Sequence, residues 1–216
     1  MFSKMDKPSN ILLDLIKTYT RGLRMVAYGQ YLDLLLSYKS IRDVKEGDVL
    51  LVHMLKTSSY TVELPLHLGA ILSTNYTVEL LDELSQYAIP AGIAFQLKDD
   101  ILGLFGKPEV TGKPAGSDVR ERKKTLLIIH AYNNGSEDDR RFIEKIYDDP
   151  GYNVSSDDIS RIQDIVVKNG GLEYVEKIMW SHVEKAKSVL SKSILINSNA
   201  KKTLDWLLEF FVKREK

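Results

Sequence analysis

The sequence predicts an all-α protein, and three features support that fold class. Apolar residues recur at helical spacing along most of the 216-residue chain, as expected for helices that bury one face. No stretch shows the sustained alternation of apolar and polar residues that is typical of a strand. No internal repeat or low-complexity linker divides the chain, so we expect a single domain over residues 1–216.

The first predicted helices lie in the N-terminal third of the chain. Pro8-Ser9-Asn10 is a candidate N-terminal cap, and apolar residues then recur from Ile11 to about Leu36. A second helix is expected from Asp48 to about Thr57. It continues or restarts over residues 58–72, where Pro65 should introduce a kink.

A long apolar run predicts the next helix, from about Thr77 to Phe105, with a kink near Pro90. Residues 107–118 contain two prolines and two glycines and should form a loop. Further helices are expected at 119–134, 136–148, 156–168, 171–191 and about 199–212.

Composition limits the classes of function. The formal net charge is zero, so no global basic excess indicates binding to nucleic acid or to an anionic membrane. The absence of cysteine excludes disulfides and thiolate metal sites. The sequence shows neither an apolar run long enough to span a bilayer nor the apolar core of a signal peptide. We therefore expect a cytoplasmic protein without a transmembrane segment.

Two adjacent carboxylates, Asp99 and Asp100, interrupt the long apolar run. Within residues 88–105 the only other charge is Lys98, and burying a charge without a partner is costly. On a helix both carboxylates share a face with Gln96, at i+3 and i+4. Oxygen ligands of this kind suit Mg²⁺ in an internal cavity. The alternative is a solvent-facing notch on an amphipathic helix.

Basic residues elsewhere can contribute to an anion site. The loop that ends at Asp118 leads into a basic segment, residues 120–124, and such a segment can close over an anionic substrate. A solvated charge run is the alternative. Lys56 ends an apolar run and either extends to solvent or points into a polar cavity. For Gln30 and Asp33 on the first helix, structural hydrogen bonding is the default interpretation.

The order of these features is more specific than any one of them. The motifs, in chain order, are Gly29-Gln30-x-x-Asp33-Leu34, Lys56-Thr57, Gly69-Ala70, Phe95-Gln96-x-x-Asp99-Asp100-Ile-Leu, Gly112-Lys113-Pro-x-Gly-Ser-Asp118, Lys123-x-Thr125-Leu126 and a basic C-terminus. This series resembles the trans-isoprenyl diphosphate synthases, also called the polyprenyl synthetase family. Archaeal-type geranylgeranyl and farnesyl diphosphate synthases look most similar.

The resemblance implies an isoprenoid-synthase helical bundle and a Mg²⁺-dependent prenyltransferase. In that family, the metal neutralises the diphosphate of an allylic substrate, and isopentenyl diphosphate attacks the allylic carbon. Asp99 and Asp100 would hold Mg²⁺, and Gln96 would help to position the allylic end. Thr57 would line the reacting carbons, and Asp118 would orient a neighbouring lysine or a metal-bound water.

The resemblance also assigns the basic residues. Lys56, Lys113 and Lys123 would contact the allylic diphosphate. Lys213 and Arg214, at the basic C-terminus, would cap isopentenyl diphosphate. Together with Thr57 and Gln96, the three diphosphate-contacting lysines form the predicted catalytic set.

The sequence departs from the family pattern in three respects. The second aspartate-rich motif of the family is DDxxD, but Gly103 stands at its third carboxylate. Arg122 occupies a position where the family often has glycine. The sequence contains neither the diphosphate-binding motif nor the first aspartate-rich motif of the family's N-terminal part, so we expect a bundle that lacks its N-terminal helices.

These absences lead to expectations about activity and assembly. We expect the chain alone to have little or no synthase activity and to need a partner that supplies the first motif. Whether that part lies on another polypeptide or has been lost stays open. The alternative is a non-catalytic regulatory or scaffolding subunit of a prenyl synthase. In either case exposed apolar surface favours a homo- or hetero-oligomer with prenyl synthase chains.

Overall fold

The computed structural model describes residues 6–106 and 116–214. Helices and short connections make up these two segments, and no strand occurs within them. The all-α prediction is therefore confirmed. None of the helices in the described segments is long and apolar enough to cross a membrane.

The helices follow one another closely. A 3-10 turn (Ile41–Asp43) follows the first helix, and a π-helix (His53–Glu63) joins the second to the third. The α-helices, in chain order, are α1 (Ser9–Tyr38), α2 (Glu46–Val52), α3 (Leu64–Leu72), α4 (Val78–Phe105), α5 (Ser117–Arg120), α6 (Leu126–Asn134), α7 (Glu137–Tyr147), α8 (Ser156–Lys168), α9 (Gly171–Lys192) and α10 (Ser198–Lys213).

Side-chain caps fix several helix starts. The Thr77 hydroxyl accepts the backbone N–H of Leu80 at the start of α4. Capping boxes built on Ser136 and Ser155 begin α7 and α8. Such caps satisfy backbone donors that the helix itself leaves free. At the start of α1, Pro8 occupies the cap position but provides no side-chain cap.

A π-helix precedes Pro65, where we expected a kink. The segment from α2 through α3 is continuously helical, and its middle eleven residues are π-helical. Pro65 falls in the first turn of α3, where a helix tolerates proline. The Ser59 hydroxyl donates to the backbone carbonyl of Leu55 inside the π-helix. Because π-turns are frequent at functional sites, this segment is a candidate for function.

The single helix expected over residues 119–134 was wrong. The one-turn helix α5 ends at Arg120, and α6 begins only at Leu126. Arg122 lies between them with a φ of 52°, a left-handed conformation that ends a helix. Its guanidinium donates to the backbone carbonyls of Ile146 and Tyr152, which helps to hold this conformation. The break directs the next residues toward α4.

Helix α4 lies at the centre of the fold and packs against the π-helix, α9 and α10. The π-helix is held between α4 and α1 by close contacts at glycine. A Cβ added to Gly92 of α4 would lie 2.4 Å from the Cα of Ser58, and one added to Gly29 of α1 would lie 2.6 Å from the backbone N of Lys56. Both positions therefore require glycine for the helices to approach this closely.

Candidate functional site

A cavity of about 320 Å³ lies between α1, the π-helix, α4 and the segment that contains α5. Its polar lining includes most of the residues predicted from the sequence, namely Lys56, Thr57, Gln96, Asp99, Asp100, Asp118 and Lys123, together with Asp33 and His53. Lys113 lies outside the described residues. Four segments distant in sequence thus bring one cluster of carboxylates, amines and an amide together.

Asp100 is the buried anchor of this cluster, with only 1% of its surface exposed. The Lys123 ammonium donates to its Oδ1 at 2.6 Å, and the Gln96 amide donates to the same oxygen at 3.1 Å. His53 Nε2 lies 3.1 Å from Oδ2. The ammonium and the imidazole therefore face different oxygens of one buried carboxylate.

Charge pairing keeps Asp100 ionised in spite of its burial. Burial raises the pKa of Asp100, but the nearby Lys123 and His53 outweigh this effect and hold the pKa well below its usual range. Burial lowers the pKa of Lys123, but the carboxylates of Asp100 and Asp118 outweigh it and raise that pKa above its usual value. The pair is therefore a carboxylate facing an ammonium at neutral pH.

Asp99 occupies a different environment at the rim of the cavity. Its side chain is 42% exposed and forms an ion pair with Arg214, with 3.0 Å between Arg214 Nη2 and Asp99 Oδ1. Arg214 directly follows α10 and stacks over the ring of Phe95, 4.1 Å from the ring centroid. Lys213 instead pairs with Glu209 on its own helix. Of the two C-terminal basic residues predicted to act, only Arg214 reaches the aspartate pair.

The π-helix presents Lys56 and Thr57 to the cavity. The Lys56 ammonium lies 2.7 Å from Oδ2 of Asp33 on α1, and its side chain is 40% exposed. Lys56 therefore points into the polar cavity, and Asp33 has a cationic partner there. The Thr57 hydroxyl donates to Gln96 Oε1 at 2.8 Å. Together with the donation from Gln96 to Asp100, this bond fixes the orientation of the amide.

Asp118 completes the acidic side of the cavity. Its Oδ2 lies 3.5 Å from the Lys123 ammonium, so the lysine stands between two carboxylates. Burial raises the pKa of Asp118, and Lys123 partly opposes that effect. The break at residues 121–125 makes this geometry possible, because it turns Lys123 back toward α4 and Asp118.

Two residues near the cavity had no assigned role in the sequence analysis. His53 contacts Asp100. It lies three residues before Lys56 and four before Thr57, and this spacing could have indicated that the three residues share a helix face. Lys124 is buried and donates to the backbone carbonyls of Leu36 and Ser37 at the end of α1. It therefore stabilises that helix end and does not contribute a free charge to the cavity.

The donor set is compatible with Mg²⁺. Carboxylates of Asp99, Asp100 and Asp118 border the same cavity, and Asp99 is the most accessible of the three. Within residues 6–106 and 116–214, no three acidic or histidine side chains converge into a ready-made metal cluster. Mg²⁺ commonly takes one or two protein carboxylates and completes its shell with water and phosphate oxygens, so the residues fit this ion.

Comparison with known proteins identifies one family. The Polyprenyl synthetase family profile matches residues 1–166. The geranylfarnesyl diphosphate synthase of Aeropyrum pernix is 34% identical over 200 residues, which cover 93% of this chain and 60% of that protein. The geranylgeranyl diphosphate synthase of Sulfolobus acidocaldarius is 29% identical over 215 residues, or 97% of this chain and 61% of that protein.

Solved structures show the same similarity. The geranylgeranyl pyrophosphate synthase from Corynebacterium glutamicum, complexed with isoprenyl diphosphate and magnesium, superposes with a TM-score of 0.85 at 33% identity. The match covers 96% of this chain and 57% of that one. The chain thus spans about three-fifths of the length of the curated relatives named above. With a matched profile over most of its length and the same all-α fold, the chain belongs to the polyprenyl synthetase family of trans-isoprenyl diphosphate synthases.

Proposed function

We propose that this chain forms the Mg²⁺- and diphosphate-binding part of a trans-prenyltransferase site, which joins an allylic diphosphate to isopentenyl diphosphate. The observation that supports this most strongly is the ionised Lys123–Asp100 pair at the wall of a cavity that also holds Lys56 and Asp99. A bound diphosphate needs cations near its oxygens, and the metal that binds it needs carboxylate ligands. The lysines and aspartates of this cavity supply these two kinds of group.

The two aspartates divide the metal-binding role. Asp99 lies at the rim and would release Arg214 to bind the ion, whereas Asp100 would contribute its carboxylate from the buried side. When bound, Mg²⁺ supplies positive charge to the departing diphosphate. Asp100 also holds the Lys123 ammonium in place, so its loss would disturb the lysine as well as the metal.

The lysines stabilise the charge on the leaving diphosphate. Lys123 is fixed by two carboxylates, and Lys56 is held by Asp33 on the opposite wall. Preorganised cations of this kind stabilise developing negative charge without reorganising. Lys113 belongs to the segment between α4 and α5, and its contact with the diphosphate as a third cation remains a prediction. Arg214 at the rim of the cavity is positioned to meet isopentenyl diphosphate.

Thr57 and Gln96 position the allylic end of the substrate. The hydroxyl–amide bond between them, at 2.8 Å, crosses from the π-helix to α4. This polar pair lies at the cavity wall, where the allylic end of the substrate would bind. Removing either group would misplace the allylic carbon and lower turnover more than binding.

The site needs further residues for turnover. The family's first aspartate-rich motif does not occur in these 216 residues, so we propose that another polypeptide segment supplies it. The test is prenyl product formation from isopentenyl and dimethylallyl diphosphates with Mg²⁺, by the chain alone and mixed with a relative that carries the first motif but has its own second motif inactivated. We expect product only from the mixture. Robust product from the chain alone would refute the need for a partner.

A regulatory or scaffolding subunit is the second candidate function. It is favoured by large apolar side chains exposed along α1, which include Leu13, Ile16, Tyr28, Tyr31 and Leu35, because such faces mark interaction surfaces. Under this function, Asp99→Asn, which should leave stability nearly unchanged, would leave binding to a synthase chain intact and its stimulation unchanged. Under the catalytic function, Asp99→Asn forms the complex but yields at least tenfold less product. A homo- or hetero-oligomeric state and a cytoplasmic location stay predictions.

A further inference from the structure

His53 faces Asp100 from the start of the π-helix. Nε2 of His53 lies 3.1 Å from Oδ2 of Asp100, within hydrogen-bond distance. Only 3% of His53 is exposed, and both residues line the cavity. Because an ionised carboxylate can only accept hydrogen bonds, the proton at this contact belongs to Nε2. His53 is therefore a buried donor aimed at the carboxylate.

The contact belongs to a register that joins the π-helix to α4. Thr57, four residues after His53, donates to Oε1 of Gln96, four residues before Asp100, at 2.8 Å. The Gln96 amide donates in turn to Oδ1 of Asp100 at 3.1 Å. The two segments therefore run antiparallel, with His53 opposite Asp100 and Thr57 opposite Gln96. The close glycine contact between the π-helix and α4 continues this register, so backbone packing fixes the place of His53 beside the carboxylate.

The two oxygens of Asp100 have partners of different kinds. Lys123 and Gln96 both donate to Oδ1, at 2.6 Å and 3.1 Å, and the Lys123 side chain is 32% exposed. In the proposed function Lys123 also contacts the diphosphate, so its bond to Asp100 changes when that ligand binds. His53 faces the other oxygen from inside the fold, where ligand binding leaves it in place.

We infer that His53 is a positioning residue, which holds the Asp100 carboxylate in the orientation that binds Mg²⁺. This inference rests on the proposed function. His53 acts through Asp100 and contacts neither the diphosphate nor the reacting carbons. Hydrogen-bond partners of metal ligands commonly change metal affinity by about 10–100-fold, because they fix the direction of the ligand atoms.

The test compares variants that remove or retain the donor at Nε2. His53→Leu removes it, and His53→Asn is too short to place an amide there. His53→Gln keeps an N–H that reaches the same position. His67→Leu is the matched control. His67 is also buried, with Nε2 2.9 Å from the Leu81 carbonyl, but it lies outside the lining of the cavity.

Each protein is titrated calorimetrically with inorganic pyrophosphate, with and without Mg²⁺, and unfolded in urea without metal. His53→Leu and His53→Asn should weaken binding in Mg²⁺ at least tenfold, and His53→Gln should bind within about threefold of the wild type. Binding without Mg²⁺ depends on the lysines and should be the same in all variants. His67→Leu should lower the urea midpoint, because it leaves buried polar groups without a partner, and should leave both affinities unchanged.

A second measurement uses the wild-type chain without ligand. Proton–nitrogen NMR of the histidine rings, with the His53 signals identified by their loss in His53→Gln, should show a proton on Nε2. A His53 ring whose Nε2 carries no proton would overturn the inference, since it could not donate to Asp100.

The outcomes separate this inference from the proposed function. A wild-type chain without Mg²⁺-dependent pyrophosphate binding would overturn both. A wild-type chain that binds while His53→Leu and His53→Asn bind equally well would overturn this inference alone. So would equal weakening with and without Mg²⁺, or a loss in His67→Leu as large as that in His53→Leu, because either result would indicate a purely structural role.

Discussion

Replacing Gly92 with alanine tests whether the contact between α4 and the π-helix sets the geometry of the cavity. The new Cβ would lie 2.4 Å from the Cα and 2.6 Å from the Cβ of Ser58, which is fully buried. Carbon atoms pack at about 3.5–4.0 Å, so the two helices must separate by about 1 Å. The hydrogen bond from Thr57 to Gln96, now 2.8 Å, crosses this interface and would lengthen beyond a normal range.

The expected loss follows from two opposing effects. Overpacking costs about 1–3 kcal/mol, and a clash with backbone atoms belongs at the upper end of that range. Alanine recovers up to about 1 kcal/mol through its higher helix propensity. We therefore expect Gly92→Ala to lower the free energy of unfolding by about 1–2 kcal/mol.

Gly69 provides a matched control in the same measurement. It is an exposed glycine inside α3, and a Cβ there meets nothing within 4 Å. Gly69→Ala should therefore stabilise the chain by about 0.5–1 kcal/mol. Both variants are measured by urea denaturation followed by circular dichroism. A Gly92→Ala protein as stable as Gly69→Ala would refute the close approach of the two helices.

Three further predictions concern single residues. Asp100→Asn should lower the free energy of unfolding by about 3 kcal/mol, because it removes the buried carboxylate that pairs with Lys123 and His53. Asp99→Asn, at a side chain that is 42% exposed, should change it by no more than about 1 kcal/mol. Equal effects in urea unfolding would contradict the environments assigned to the two aspartates. Arg122→Gly should be about 1 kcal/mol more stable than Arg122→Ala, because only glycine adopts the left-handed φ without strain; the reverse order would contradict that conformation. Burial, with help from Lys185, lowers the pKa of His182 to about 4. The unfolded chain binds a proton at this residue from about pH 6.5 downward. Stability should therefore fall as the pH drops from about 6.5 toward 4, by about 1–2 kcal/mol for this partly exposed side chain. His182→Gln should flatten that profile in urea unfolding at several pH values.

Local sequence signals were sufficient for much of the fold. Helices α7 and α8 begin where Ser-x-x-Asp precedes an apolar period, and the structure starts them there. The π-helix was not predictable, because residues 53–63 carry no local signal that distinguishes a π-helix from an α-helix. The π-helix packs closely against Gly29 on one side and Gly92 on the other. Both contacts join residues that are distant in the sequence.

The sequence indicated which residues line the cavity but not which of them pair with each other. The motif order singled out Lys56, Gln96 and the aspartate pair, and these residues line one cavity. Sequence spacing could not separate a buried Asp100 from an exposed Asp99, because that difference depends on partners 23 and 115 residues away. The left-handed Arg122 breaks the helix expected over residues 119–134, and the one sequence indication of it is that the family often has glycine at this position.

Binding of dimethylallyl diphosphate to the purified chain, with and without Mg²⁺, tests the central claim most directly. If Asp99 and Asp100 assemble a metal–diphosphate site with Lys56 and Lys123, isothermal titration should show binding that requires Mg²⁺ and that weakens at least tenfold in Asp99→Asn. Equal affinity with and without Mg²⁺, or an Asp99→Asn chain that binds like the wild type, would contradict it.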